Sequence, residues 1–166
     1  MEEILRNLLA DRDRVVVLGV GNTLRRDDGF GVYVASSLKR FKLKDVLVLE
    51  AGASPESVLD DILGFNPSHL VVVDSVEMGR RPGDLVVAGL ESIADEVTVS
   101  THRLPMTLLV KYLRLMGFRG MVVVVGVQPG DLSFGEGLTP RVREAADIVV
   151  NMLRSVLSNG DYGRGA

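Results

Sequence analysis

Three valine-rich runs constrain the fold of this chain more than any other feature. VVVLGV (Val15–Val20), HLVVVDS (His69–Ser75) and GMVVVVGVQ (Gly120–Gln128) are apolar on consecutive residues. A strand with one wet face alternates apolar and polar residues; a run without alternation needs cover on both faces, as in a parallel sheet between layers of helices. DVLVLEA (Asp45–Ala51) is a further run of this kind. DLVVAGL (Asp84–Leu90) is shorter, follows the turn GRRPGD, and reads as an edge strand.

Helical spacing fills the intervals. Gly29 to Lys39 reads as a helix opening after Asp27 and Asp28. Pro55 to Leu63 is a short helix with Ser54 as N-cap and proline at its first position. Pro105 to Leu115 carries Leu108, Leu109, Tyr112 and Leu113 at helical spacing, with Gly117 as a stop. Thr139 to Leu157 places Val142, Ala145, Ala146, Val149, Met152, Leu153 and Val156 on one stripe. A short helix from Glu2 to Leu9 precedes the first strand. The alternation predicts one α/β domain over residues 1–158, phosphorylase/hydrolase-like, with a mostly parallel twisted sheet of about five strands and helices on both faces. Residues 159–166 are expected to form a flexible tail.

Composition removes several classes of function. The chain has no cysteine, which excludes disulfides, thiolate metal sites and a cysteine nucleophile. A net charge of −3 argues against nucleic-acid binding. The opening MEEILRNLLADRDR is too charged for a signal peptide, and MVVVVGV is far shorter than the ~20 residues that cross a bilayer. A cytoplasmic protein without membrane insertion is expected.

In parallel sheets ligands bind beyond the carboxyl ends of the strands. That rule gathers Gly21 to Asp28, Glu50, Asp74, Gln128, Pro129, Thr101 and His102 on one rim. GVGNTLRRDDGFG (Gly19–Gly31) begins like a dinucleotide loop, but the third glycine of that fingerprint would be residue 24, which is Leu24. Asp27 and Asp28 would also repel a pyrophosphate. One aspartate is accounted for by capping the following helix. Two in succession exceed that need, so one caps and the other points into the rim. Asp74 ends a buried strand and serves either as a turn cap or as a functional carboxylate. His69 begins a strand at the opposite rim and reads as structural. His102, in STHRLP, would alone read as structural too. With Asp28 and Asp74 it forms a candidate cation triangle with open coordination positions, and Asn22 supplies a supporting hydrogen bond. Ser54, Ser100 and Ser133 lack an identifiable base, and no Gly-x-Ser-x-Gly elbow occurs.

In order along the chain, GVGNTLRRDDGFG, EAGASPE (50–56), VVVDSVEMGRRPGD (71–84), STHRLP (100–105), and GVQPG with FGEGLTP (126–140) resemble the nickel–iron hydrogenase maturation endopeptidases. EAGASPE and STHRLP are most similar to the subgroup serving formate-hydrogenlyase-type hydrogenases. The resemblance implies an endopeptidase that removes the C-terminal extension of a hydrogenase large-subunit precursor. It implies that Asp28, Asp74 and His102 contact nickel, and that nickel arrives with the substrate rather than being permanently bound. Nickel then acts as a Lewis acid, or serves recognition while a carboxylate acts as general base. A non-proteolytic metal-delivery protein and a general peptidase are the alternatives. A monomer or weak homodimer is expected. The lead segment Met1 to Asp13 is longer than the family's usual start.

Overall fold

The computed structural model describes residues 1–93 and 106–158. Five strands form, β1 (Val15–Val20), β2 (Val46–Gly52), β3 (His69–Ser75), β4 (Leu85–Gly89) and β5 (Met121–Val127). They lie in the order β2-β1-β3-β5-β4. Every pairing is parallel except that of β4 with β5. The helices are α1 (Glu2–Leu8), α2 (Phe30–Leu38), α3 (Leu59–Phe65), the short α4 (Leu90–Ile93), α5 (Met106–Leu115) and α6 (Pro140–Ser158).

Each valine run serves two cores at once, because successive side chains on a strand point to opposite faces. Val15, Val17, Val71, Val73, Val123 and Val125 pack with Leu5, Phe30, Val34, Val149 and Leu153 of α1, α2 and α6. Val16, Leu18, Leu70, Val72 and Val122 face the other way, onto Ile62 of α3 and Leu109, Val110 and Leu113 of α5. β1 and β3 are buried along their whole length, and β5 everywhere but Met121. The run 45–51 departs from the expectation of full cover: β2 is only half-buried over most of its length. It lies at an edge with β1 as its one partner, so its outer flank stays open whatever its residue types.

Helix boundaries shift where 3₁₀ turns intervene. The helix expected from Gly29 is preceded by a 3₁₀ turn, Arg26–Gly29, and α2 starts at Phe30. The helix expected from Pro55 is a 3₁₀ turn, Pro55–Val58, followed by α3. Ser54 does not cap it with its side chain. Pro105 and residues 159–166 lie outside the described residues. No described helix is long and apolar enough to cross a membrane.

The strand order matters most for function. From β1 the chain crosses through α2 to β2 on one side, then returns through α3 to β3 on the other. The crevice between the carboxyl ends of β1 and β3 is therefore a topological switch point, where loops diverge and a ligand can enter.

Candidate active site

The glycine-rich stretch after β1 folds back on the sheet. Gly21 sits at φ +134°, and a Cβ there would fall on the Asp28 carbonyl. A Cβ on Gly31 would collide with the carbonyls of Val73 and Val20. These glycines let the 3₁₀ turn press its backbone against the ends of β1 and β3. A backbone amide of this loop, that of Asn22, is taken by the chain's own Asp28 carboxylate.

Asp28 is fully buried. Its Oδ2 accepts the Asn22 backbone N–H at 2.7 Å, and its Oδ1 accepts the Ser75 hydroxyl at 3.1 Å. Asp74, at the end of β3, is also buried, and its Oδ1 accepts the Ser75 N–H at 2.8 Å. Ser75 thus joins the carboxyl groups, one through its hydroxyl and the other through its amide. Burial pushes the Asp74 carboxyl well above the ordinary carboxylate range; the nearby Asp28 charge adds to that, and the Ser75 amide opposes it. Without a cation the pair combines one carboxyl that favours its proton with one that accepts hydrogen bonds at both oxygens. A cation between them would favour ionisation of both.

Asp27 departs from the expectation of a helix cap. Neither the 3₁₀ turn nor α2 has a side-chain cap. Asp27 is instead completely buried and binds a loop over a hundred positions away. Its Oδ2 accepts the N–H groups of Gly130 (2.8 Å) and Asp131 (2.9 Å). Its Oδ1 accepts the Thr139 N–H at 2.7 Å, and the Thr139 hydroxyl lies within 3.0 Å of Oδ1 and 2.8 Å of Oδ2. Asn22 supports Asp28 as expected, but through its backbone; its Oδ1 accepts the Leu24 N–H at 2.9 Å.

The other rim residues separate. Glu50 is drawn to the surface beside Lys39, 3.3 Å away. Gln128 is buried and works as a brace: Nε2 donates to both Glu77 oxygens at 3.0 Å, and Oε1 accepts the Met78 and Arg80 amides. His69 lies at the opposite end of β3 from Asp74, with Nδ1 2.8 Å from the Ser68 hydroxyl. Burial lowers its pKa. Ser100, Thr101 and His102 lie outside the described residues. Among the described residues no three His, Cys, Asp or Glu side chains are grouped to hold a metal; Asp28 and Asp74 are two members of the expected set. Ser75 was missed because nothing in its spacing marks it: neighbouring strand residues face opposite ways, and only the folded-back turn gives its hydroxyl a partner.

A mostly parallel α/β sheet with buried carboxyl groups at its switch point defines the class to which the comparisons point. The hydrogenase maturation protease (HycI) profile matches residues 32–156. The crystal structure of the nickel–iron hydrogenase maturation protease HycI from Thermococcus kodakarensis KOD1 superposes with a TM-score of 0.85 at 33% identity, covering 94% of this chain and 99% of that one. The hydrogenase 3 maturation protease of Escherichia coli K12 is 28% identical over 90% of this chain and 94% of its own length. The hydrogenase 2 maturation protease of the same strain is 31% identical over 87% of this chain and 90% of its own. This chain belongs to the hydrogenase maturation protease family.

Proposed function

We propose that this protein is the endopeptidase that removes the C-terminal extension of a nickel-loaded nickel–iron hydrogenase large-subunit precursor. The observation that carries the reading is the buried Asp28–Ser75–Asp74 arrangement at the switch point of a chain from this family. Nickel belongs to the substrate. Asp28, Asp74 and His102 are its proposed contacts, so an empty precursor would lack the feature that seats it.

Hydrolysis adds water across one peptide bond. The water oxygen bonds to the scissile carbonyl carbon, the C–N bond breaks, and the leaving nitrogen takes a proton. Where nickel serves recognition, a carboxylate of the pair takes the proton of the attacking water and passes it to the leaving nitrogen.

The test is mass spectrometry of nickel-loaded and nickel-free precursor after incubation with the protein. Shortening of the loaded form alone is expected, and its loss in Asp28→Ala, Asp74→Ala and His102→Ala. Normal processing by all three variants ends the site assignment. Transfer of nickel without shortening replaces the peptidase with a metal-delivery protein.

A further inference from the structure

Phe134 is 82% exposed and Leu24 is 47% exposed, yet neither sits on a loose loop. Their segments form a small parallel bridge in which the Gly135 N–H donates to the Leu24 carbonyl at 2.8 Å and the Arg26 N–H to the Gly135 carbonyl at 3.0 Å. Beneath the bridge, Asp27 holds Gly130, Asp131 and Thr139, and its own N–H donates to the Asp131 carbonyl at 3.1 Å. The bridge also connects to the site through a continuous set of hydrogen bonds. Leu24 N–H donates to Asn22 Oδ1, and Asn22 N–H donates to Asp28 Oδ2.

We propose that the Leu24–Phe134 bridge is the docking surface that seats an apolar segment of the large-subunit precursor beside its cleavage point. The inference rests on the peptidase reading above and adds to it a place where the client is held. A peptidase must bind a length of polypeptide next to its reacting groups, and this bridge shares its hydrogen-bond network with Asp28. An aromatic ring held on a fixed backbone loses little freedom on binding, which is why such residues dominate protein contacts. Folding does not require Phe134 to be aromatic, since its ring stands in solvent. Covering one large apolar side chain corresponds to roughly ten- to a hundredfold in affinity.

The experiment measures equilibrium binding of the nickel-loaded large-subunit precursor, with processing followed separately. Wild type, Phe134→Ala, Leu24→Ala, the double variant and Phe134→Leu are compared in an Asp28→Ala background for binding and in the native background for processing. The double variant is expected to raise Kd and KM about tenfold or more with kcat within about twofold, while Phe134→Leu recovers most of the affinity. Thermal unfolding of each variant should match its parent. A double variant that binds as its parent does overturns the docking surface; if the Asp28→Ala parent, which lacks a proposed nickel contact, binds no precursor, KM in the native background decides, and an unchanged KM overturns it. Binding without cleavage by the native chain removes the peptidase reading alone and leaves the docking result to stand on Kd.

Discussion

Replacing Asp27 tests whether a buried carboxylate holds the rim together. In Asp27→Ala, the N–H groups of Gly130, Asp131 and Thr139 and the Thr139 hydroxyl lose their acceptor. Each stranded buried N–H costs about 1–3 kcal/mol. These bonds are part-buried, so water recovers a share and the total should be about 3–5 kcal/mol. At about 2–4 °C per kcal/mol for a chain of this length, the melting temperature should fall by roughly 6–20 °C. Asp27→Asn separates loss of the acceptor from loss of charge. With its amide nitrogen at the Oδ1 position, the new side chain still accepts from Gly130 and Asp131 and faces only the Thr139 N–H. One stranded donor predicts about 1–3 kcal/mol. Circular dichroism melting gives the totals, and amide hydrogen exchange at Gly130, Asp131 and Thr139 localises them. An Ala variant melting within about 2 °C of wild type, with those amides still protected, would refute the clamp.

Asp74→Asn should stabilise the metal-free protein while abolishing processing. A carboxyl whose folded pKa is raised contributes its stability below the unfolded value, and that contribution disappears as pH climbs through the folded value. The advantage of Asn should therefore widen in urea unfolding as pH rises above the unfolded carboxyl's ordinary value; a difference independent of pH would contradict the assigned cause. Ser75→Ala removes the hydroxyl that Asp28 accepts at 3.1 Å, a bond worth about 1.5–3 kcal/mol if the carboxylate is charged. Processing should slow and return in Ser75→Thr, which keeps the hydroxyl; equal rates in wild type and Ser75→Ala would show that the link has no functional weight.

The backbone layers were legible because the signal for them is local. Val15–Val20 and His69–Ser75 are found at the strand limits their valine runs imply, and both are buried on both faces. The stripe on α6 likewise gives its buried face, Val142, Ala145, Ala146, Val149, Met152, Leu153 and Val156. The 3₁₀ turns escaped because a proline or an aspartate pair starts such a turn and an α-helix equally well. β2 was misjudged because exposure at an edge depends on neighbours, not on the strand's own residues.

The sequence alone determined the α/β layering, since unbroken apolar runs and helical stripes are properties of each segment. The tertiary structure decided what each aspartate does. Adjacent in the chain and alike in chemistry, Asp27 turns to the loop ending at Thr139 and Asp28 to Ser75 on β3. That choice comes from the close backbone contact that Gly21 and Gly31 permit, and from the strand order that sets β1 beside β3. Contacts between residues so distant along the chain leave no local pattern; they exist only once the sheet has assembled.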